Sequence, residues 1–506
     1  IREYMPDVPV HAKLMQETYD WTKSYALMGE DIESFAEFSD LNGCDASAYY
    51  DGTPLTRKLL WYDYLASSRN MPIVNSEDHI IQDGNEKFLP EYATFNGADI
   101  WQGAIHGRTQ SQIWLWEKNY NNKSEKGDGA AIRPDVIAAI GKASMDLNRL
   151  SYEINALANK KADVLIMYSD SSRIYNSGKV WNATEPFYES LIFNGQKVRF
   201  LLDSQSDMLN PEDYKLLIIP EISNLKSEML NKVKEYIERG GKVLIIGDNS
   251  LKSDEKGKAQ NNATVNYIKQ SSTQISSKDK WDFNSADTYV TIALKAAGLN
   301  DITLYDADTG NRLNNVMYDA AVYDGKLIVN ICNMWGEKNI QVRYKGEPVT
   351  SWNELRSGEY TGDTINLKPF QTILLENSNI SGVKYSKVSF RGGFAENGEG
   401  ATKEKDDISL VEPGYIMAEA RVKNGVLNQG SDQKPWKATM LTAVYDGDRL
   451  VKVSKAEAEV KTGEEHVIRA AVEVPEDSDK KFTVKTYIWS DTDQLIPLCG
   501  VSSLPE

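Results

Sequence analysis

The sequence is poor in cysteine and has no long apolar run. Its three cysteines, Cys44, Cys332 and Cys499, are widely spaced and odd in number, so they form neither a disulfide framework nor a zinc-ligand spacing. No stretch of about 18 apolar residues occurs, so no membrane-spanning helix is expected. The G-x-G-x-x-G and Walker sequences of nucleotide-binding loops are also missing. We therefore expect no metal, no cofactor and no membrane span.

The charge balance is strongly acidic. Fifty-seven basic residues against 74 acidic ones give a formal charge of −17, which argues against nucleic acid and anionic lipid as partners. Hydrophobic residues make up 41% of the chain, with 26 tyrosines and 11 tryptophans, which excludes a disordered or fibrous protein. This composition suits a neutral substrate, and sugar-binding clefts commonly present tryptophan and tyrosine rings. At 506 residues the chain is expected to form three or four domains.

Short apolar strands alternate with longer helical stretches in the first 158 residues. Four strand-helix units in series, without a hairpin signal, predict a parallel sheet with right-handed crossovers. Four units are half of an eight-unit barrel, and half a barrel leaves open edges and an uncovered interior. The chain also begins without Met or a signal peptide, as if upstream sequence were missing. The predicted strands are 8–14, 44–50, 72–76 and 112–116, and the predicted helices are 19–27, 31–41, 55–67, 91–106 and 133–158.

The stretch MPIVNSEDH, residues 71–79, holds the leading catalytic candidate. Its apolar part reads as a short buried strand, and Glu77 follows at the C-terminal end, where parallel strands present catalytic groups. Strand ends are often acidic without a catalytic role, so these nine residues alone leave both interpretations open.

Four segments together make the pattern more specific. PDVPVHAKLM, CDASAYY, MPIVNSEDHI and WQGAIHGRTQSQIWLWEK resemble strands five to eight of retaining (β/α)8-barrel glycosidases, above all glycoside hydrolase family 42, the β-galactosidase family. The resemblance covers roughly residues 1 to 375. It implies the C-terminal half of a TIM barrel, with Glu77 as the nucleophile ending strand seven. The acid/base glutamate of the family ends strand four, which would lie upstream of Ile1.

Further residues follow the predicted strands and are candidates for binding the sugar. One of Tyr49 and Tyr50 is expected to line the pocket, because side chains alternate along a strand. Trp116 is the better stacking platform for a sugar ring, and Trp114 suits either the pocket or the barrel filling. Glu117 and Lys118 would bond substrate hydroxyls or form a solvated loop. Lys13 and His79 are expected as polar liners, Glu17 is the reserve nucleophile, and His106 is interpreted as a partner of a helix C-terminus.

The pattern of predicted elements changes twice in the rest of the chain. Residues 159–300 predict a doubly wound α/β domain whose loop YSDSSRIYNSG carries no phosphate-binding motif, and residues 250–280 read as a long polar excursion. Residues 301–378 predict a small β domain, with a hairpin over 322–330 turning at Asp-Gly. Residues 379–506 predict a β-sandwich. By resemblance, the α/β domain is flavodoxin-like and used for homotrimer contacts, and the sandwich is Ig-like, as in secreted bacterial enzymes.

We therefore expect an extracellular or cell-surface bacterial β-glycosidase that acts on an oligo- or polysaccharide, with a β-galactoside as the first substrate to test. Two alternatives stay open. The same barrel could serve another sugar, since loops and the missing N-terminal half of the barrel set specificity. A catalytically degenerate barrel could instead bind carbohydrate or serve as a cell-surface structural protein.

Overall fold

The N-terminal region is a four-stranded parallel sheet with strands in chain order and helices between them. The computed structural model describes residues 3–16, 29–85, 87–116, 129–323, 326–349, 352–357, 359–377, 383–385, 388–394, 400–405, 408, 410–424, 436–461, 464–477, 480–489 and 501–505. The strands are β1 (Lys13–Met15), β2 (Asn42–Ser47), β3 (Ile73–His79) and β4 (Arg108–Trp114), and the helices are α1 (Ile32–Phe38), α2 (Leu55–Ser68), α3 (Glu91–Ile105), α4 (Pro134–Arg149) and α5 (Ser151–Ala158).

The predicted strand-helix order of this region is confirmed, but several boundaries were wrong. The strand predicted over 8–14 begins only at Lys13, and Pro9, which has no amide hydrogen to donate, lies in the part that is not a strand. The long helix predicted over 133–158 is two helices that meet at Leu150, a fully buried residue whose backbone is not helical. The helix predicted over 19–27 lies outside the described residues.

The second region is a five-stranded parallel sheet in the order β6-β5-β7-β8-β9. The central strands β5 and β7 are apolar and buried throughout, because helices cover both faces of the sheet. The polar stretch 250–280 was wrongly interpreted as an excursion. Asn261 caps a helix there, and Ile268 on that helix is fully buried. The elements are β5 (Val164–Met167), α6 (Asp170–Phe193), β6 (Val198–Leu201), β7 (Leu216–Pro220), α7 (Ser227–Glu238), β8 (Lys242–Ile246), α8 (Asn262–Gln270), β9 (Thr273–Ile275) and α9 (Phe283–Ala297).

Antiparallel sheets make up the remainder of the chain. The predicted hairpin pairing is confirmed, with Tyr323 opposite Lys326; its Asp-Gly turn lies outside the described residues. In the third region β11-β12-β18-β15-β16 form one sheet, and β10, β13, β14 and β17 form another. The strands are β10 (Ile302–Asp306), β11 (Val316–Tyr323), β12 (Lys326–Asn333), β13 (Lys338–Tyr344), β14 (Glu347–Pro348), β15 (Trp352–Glu354), β16 (Glu359–Thr361), β17 (Ile365–Leu367) and β18 (Thr372–Asn377).

The last region consists of two sheets that share one apolar core. In the first sheet, β22 pairs with β19, β20 and β25, and β21 pairs with β20; the second sheet has the order β24-β23-β26-β27. The strands are β19 (Val383–Tyr385), β20 (Ser389–Phe394), β21 (Gly400–Lys405), β22 (Gly414–Asn424), β23 (Trp436–Asp446), β24 (Arg449–Val460), β25 (Glu465–Val474), β26 (Phe482–Trp489) and β27 (Ser502–Leu504). None of the described helices combines the length and hydropathy needed to cross a membrane.

Hydrogen bonds tie the second region to the helix ends of the first. Lys197 Nζ donates to the carbonyl of Ile105 at 2.9 Å, and Arg199 donates to the carbonyl of Ser67 at 3.1 Å. Both acceptors lie in the last turn of a helix, where the helix dipole favours a cation. The hydroxyl of Tyr188 donates to Asp63 at 2.7 Å. The helices that pack against the N-terminal sheet are therefore hydrogen-bonded to the second region.

A half-buried carboxyl group, that of Glu189, makes this contact sensitive to pH. Glu189 on α6 accepts from the Thr56 hydroxyl at 3.2 Å, next to the ion pair between Arg57 and Glu185 at 2.7 Å. Burial, reinforced by the charge of Glu185, raises the pKa of Glu189 from 4.5 to about 7. The folded state therefore holds a proton between these pH values that the unfolded state has lost. Stability should fall as the pH rises through this window and stay reduced above it.

We expect Glu189→Gln to remove this loss. Because glutamine carries no charge, the variant should be more stable than wild type at pH 8 by about 1–3 kcal/mol and similar to it near pH 4.5. Thermal unfolding of both proteins at the two pH values measures the difference. Glu212→Gln, at an exposed position, is the control and should show no such crossover. Equal melting temperatures for wild type and Glu189→Gln at pH 8 would contradict the assignment.

Candidate functional site

A β-bulge in β3 decides where Glu77 points. The register against β2 pairs Cys44 with Asn75 but Asp45 with Glu77, so β3 has one extra residue at Ser76. Asn75 faces the helices and donates to the hydroxyl of Tyr62 at 2.9 Å. Without the bulge, alternation would place Glu77 on that same face. The extra residue turns Glu77 to the opposite face of the sheet, which points away from these helices and is called the inner face. Bulges beside functional sites commonly redirect a side chain in this way.

Three side chains of the inner face surround the Glu77 carboxylate. Lys13 Nζ on β1 donates to Glu77 Oε2 at 2.5 Å and to Asp45 Oδ2 on β2 at 3.1 Å. His79 Nε2 lies 3.3 Å from Glu77 Oε1. An ionised carboxylate only accepts hydrogen bonds, so this ring nitrogen carries the hydrogen. Both oxygens of Glu77 are thus held by nitrogen donors, and its side chain is still 25% exposed.

His79 connects Glu77 to the loop after β3 and to β4. Its other ring nitrogen, Nδ1, lies 3.3 Å from a carboxylate oxygen of Asp83. The imidazole also packs against the indole of Trp114, with ring centroids 5.7 Å apart. These two contacts fix the orientation of the ring and therefore the side of Glu77 that it approaches.

The neighbours of Glu77 keep its carboxyl group ionised. Burial alone would raise the pKa of Glu77, but the hydrogen bond and charge of Lys13, together with His79, outweigh burial and lower it. The pKa of Asp45 shifts in the opposite direction, because burial raises it more than Lys13 lowers it. Adjacent carboxyl groups with opposite shifts are typical of sites in which one group must be a carboxylate.

Replacing Lys13 with methionine tests this electrostatic assignment. The variant keeps the length of the side chain but loses the ammonium, so the pKa of Glu77 should rise. The side-chain carboxyl resonance of Glu77, followed by NMR, should therefore titrate at higher pH in the variant than in wild type. His79, Asp45 and Asp83 still face the site, and Lys87→Met, which breaks an ion pair with Asp51 outside this cluster, serves as the control. An unchanged titration of Glu77 in Lys13→Met would refute the role of Lys13.

Asp45, Glu77 and His79 also form a set of three metal-ligand atoms within 4.8 Å of one another. The ammonium of Lys13 lies between the two carboxylates, where it already supplies the positive charge that a cation would bring. A pair of carboxylates bridged by an ammonium fits this donor set better than a metal site does.

The other predicted site residues are distributed around this cluster. Tyr49 and Tyr50 lie in the loop just after β2 rather than inside the strand, so strand alternation does not decide between them. Burial raises the pKa of Tyr49 to about 12, so its phenol stays protonated. Tyr50 packs edge-on against Tyr92 and against Phe370 of the third region. The role of each tyrosine in sugar binding stays a prediction.

Of the candidates predicted at the end of β4, the two tryptophans lie among the described residues. Trp116 is 68% exposed two residues beyond the end of the strand, while Trp114 belongs to the strand and contacts His79. Glu117, Lys118 and the reserve candidate Glu17 lie outside the described residues. His106 ends α3, as predicted, and is buried with Nδ1 3.0 Å from the carboxylate of Asp63.

Sequence reasoning missed Asp45 and misjudged the strand around Glu77. Asp45 is an acidic residue inside the apolar segment CDASAYY, and this is the signal that could have marked it. Glu77 was predicted just past a strand over 72–76, whereas β3 continues to His79. The strand is longer because Asp78 is buried on the opposite face, where Lys58 Nζ donates to it at 2.5 Å and Arg108 at 2.8 Å.

The buried charges behind Glu77 form a balanced network. Lys58 also donates to Asp99 at 2.6 Å, so two cations meet two carboxylates, all nearly inaccessible to solvent. The side chain of Arg108 passes over Gly103 to reach Asp78. A Cβ added at Gly103 would lie 2.6 Å from the guanidinium carbon, so a side chain there would block this path. The charges of Lys58 and Arg108 lower the pKa of Asp78 against the effect of burial. This network anchors the strand that carries the candidate nucleophile.

No profile of a known protein family and no curated protein matches this sequence. Solved structures do match its fold. An exo-carrageenase of glycoside hydrolase family 42 from Bacteroides ovatus superposes with a TM-score of 0.61 at 23% identity, over 74% of this chain and 53% of that one. A family 42 β-galactosidase from G. stearothermophilus (TM-score 0.58, 14% identity) and a β-galactosidase from Bacillus circulans sp. alkalophilus (0.55, 13%) each match over 74% of this chain and 64% of theirs.

These comparisons confirm the predicted resemblance at the level of fold. The chain has the fold of family 42 glycosidases over about three quarters of its length, and it spans between 53% and 64% of the length of those proteins. The predicted combination of α/β and all-β regions is confirmed with it.

Proposed function

We propose that this protein is a retaining β-glycosidase in which Glu77 is the nucleophile, with a β-galactoside as the first substrate to test. The observation that carries the proposal is the Glu77 carboxylate itself. It lies on the inner face of a parallel sheet near the C-terminal end of its strand, and two nitrogen donors keep it ionised. A retaining mechanism needs such a carboxylate next to the anomeric carbon, where it forms a covalent glycosyl-enzyme.

The charge of the site favours a neutral sugar. One ammonium, Lys13, faces the two carboxylates of Glu77 and Asp45, so these three groups carry one net negative charge. The whole chain, at −17, has the same sign. A sulfated or carboxylated ring at this position would be repelled. Trp116, Trp114, Tyr49, Tyr50, His79 and Glu117 are the proposed contacts to ring faces and hydroxyl groups.

We further propose that the N-terminal sheet is the C-terminal half of a (β/α)8 barrel. Within the described residues β1 pairs only with β2 and β4 only with β3, so each has an edge at which a further strand could pair. The missing N-terminal half of the barrel would close the site and supply the acid/base glutamate. The matched glycosidases are longer than this chain, in line with this proposal.

The other regions are proposed to support the barrel rather than to catalyse. The strand order of the second sheet is that of flavodoxin-like folds, which bind ligands in a crevice at the C-terminal ends of the strands. Here side chains of the same region occupy that crevice. The amide of Asp170 at the start of α6 donates to Asp203 at 3.0 Å, and the Ser169 hydroxyl donates to the Asn224 carbonyl at 2.8 Å. A carboxylate thus occupies the place where such a helix would bind phosphate.

Several finer assignments belong to the same proposal. The second region would mediate contacts in a homotrimer, and the C-terminal sheets would form an Ig-like sandwich on an extracellular or cell-surface bacterial enzyme. The domain boundaries at 158, 300 and 378 stay predictions. A degenerate barrel that binds carbohydrate without cleaving it is the second candidate, because Lys13, at 2.5 Å, already occupies one oxygen of Glu77.

Mechanism-based labelling tests the proposal. The full-length gene product is incubated with 2,4-dinitrophenyl 2-deoxy-2-fluoro-β-galactoside, digested and mapped by mass spectrometry. We expect the fluorosugar as an ester on Glu77, in the peptide containing MPIVNSEDH. A panel of other fluorinated β-glycosides covers the alternative sugars. A label on another residue would refute the nucleophile, and the absence of any label would favour the degenerate barrel.

A further inference from the structure

Lys13 is shared between two carboxylates of unequal role. It donates to the proposed nucleophile Glu77 at 2.5 Å and to Asp45 at 3.1 Å. Asp45 lies directly beside Glu77 in the register of β2 and β3 and is only 12% exposed, while Lys13 is 40% exposed. Within the described part of the chain these two carboxylates are the only ion-pair partners of Lys13. Asp45 therefore gives a long, half-exposed side chain its fixed second anchor.

We propose that Asp45 is a positioning residue that holds the Lys13 ammonium beside Glu77 while Glu77 is covalently bound to the sugar. This inference rests on the proposed glycosidase function. It assigns Asp45 no contact with the reacting atoms. Its role is exerted through Lys13 and concerns the second half of the reaction.

Charge balance during the two displacements gives the reason. In the free site Lys13 faces two negative charges. When Glu77 attacks the anomeric carbon, a C–O bond to Glu77 forms and the glycosidic bond breaks, and the leaving oxygen takes the proton of the acid/base group. The Glu77 carboxylate becomes a neutral ester. Lys13 then loses its stronger partner, and without Asp45 its flexible side chain would turn to solvent. Asp45 retains the ion pair, so the ammonium stays near the ester.

The retained ammonium matters in the second displacement. A water oxygen attacks the anomeric carbon, the bond to Glu77 breaks, and the electron pair returns to the carboxylate. The water proton goes to the acid/base group of the proposed mechanism, which is a carboxylate after the first displacement. Negative charge thus grows on Glu77 in the transition state, and a donor already in place stabilises this charge without reorganisation. His79 donates to the other oxygen, at 3.3 Å, in the same way.

Asp45→Asn tests this role by separating the two steps. With a dinitrophenyl β-galactoside, stopped-flow release of the phenol reports glycosylation and the steady state reports hydrolysis of the ester. We expect hydrolysis to slow on the order of 10–100-fold. The glycosyl-enzyme should then accumulate, visible as a burst and as an intact-mass shift. kcat and KM should fall together, and kcat/KM should change much less.

Matched variants distinguish the positioning role of Asp45 from a merely structural effect of the substitution. Asp45→Glu should restore part of the hydrolysis rate, whereas Asp51→Asn, which removes a carboxylate paired with Lys87, should leave the rates unchanged. Lys13→Met should also accumulate the intermediate, and the Lys13→Met/Asp45→Asn pair should be no slower than the single variants, since both act through one ammonium.

Other results would overturn the inference. Equal losses in kcat and kcat/KM without accumulation would mean that Asp45 acts before the intermediate, and unchanged kinetics would mean that it has no role. These outcomes leave fluorosugar labelling of Glu77 in Asp45→Asn intact. A failure of the proposed function itself would instead abolish labelling in the wild-type protein.

Discussion

Glu77→Ala is expected to lower the turnover of an aryl β-galactoside by about 10⁴-fold or more, because it removes the group that attacks the anomeric carbon. The fold should survive, since the side chain is partly exposed and its partners Lys13 and His79 retain access to Asp45 and Asp83. The measurement is the rate of phenol release, together with the melting temperature as a check on folding.

Rescue by azide makes the assignment of Glu77 specific. In the alanine variant azide fits the space left by the carboxylate and attacks the anomeric carbon directly. One displacement instead of two should produce the α-galactosyl azide and restore part of the rate. Glu91→Gln, at an exposed glutamate at the start of α3, should behave as wild type. A β-azide product would identify Glu77 as the acid/base group instead, and near-normal turnover would exclude it from catalysis.

Lys58→Met is expected to cause the largest loss of stability, about 3–5 kcal/mol, because it leaves buried carboxylates without compensation. Lys58 is fully buried and donates to Asp78 at 2.5 Å and to Asp99 at 2.6 Å. Methionine fills a similar volume, so the loss measures charge rather than packing. Chemical or thermal unfolding of the two proteins gives the difference. Because Asp78 follows Glu77 directly, partial unfolding here should also abolish labelling of Glu77.

A second substitution separates charge imbalance from a generic defect. Lys58→Met/Asp99→Asn leaves Arg108 facing Asp78 alone, so the buried charges balance again and part of the stability should return. Lys87→Met removes a solvent-exposed lysine whose ion pair with Asp51 contributes little, and it should leave the melting temperature nearly unchanged. A double variant less stable than the single one, or a loss equal to that of Lys87→Met, would contradict the network.

Much of the architecture was predictable because its signals are local. The alternation of strands and helices over the first 158 residues appears in the apolar pattern, and the four parallel strands are found in the predicted order. The hairpin of β11 and β12 was predicted from Asp-Gly between two apolar runs. Errors occurred where a single polar residue decides the outcome, as with Asn261, whose capping role makes the segment after it a helix.

The candidate site was only partly predictable. Glu77, Lys13 and His79 were proposed separately, and the structure brings them together within hydrogen-bonding distance. Asp45 was missed, although it contacts Lys13. Its one signal, an acidic residue inside an apolar segment, does not show which side chains on other strands it will contact. The partnership of Lys13 and Glu77 joins residues on β1 and β3, and no pattern within either strand encodes it.

By itself the sequence determined the kinds of element, their order and the identity of the carboxylate at the end of a predicted strand. It could do so because hydrophobic periodicity, caps and turn residues act over a few neighbours. Only the tertiary structure decided which face of the sheet Glu77 occupies. That choice depends on one extra residue at Ser76 and on the register of three strands, which pairing and packing across the sheet establish.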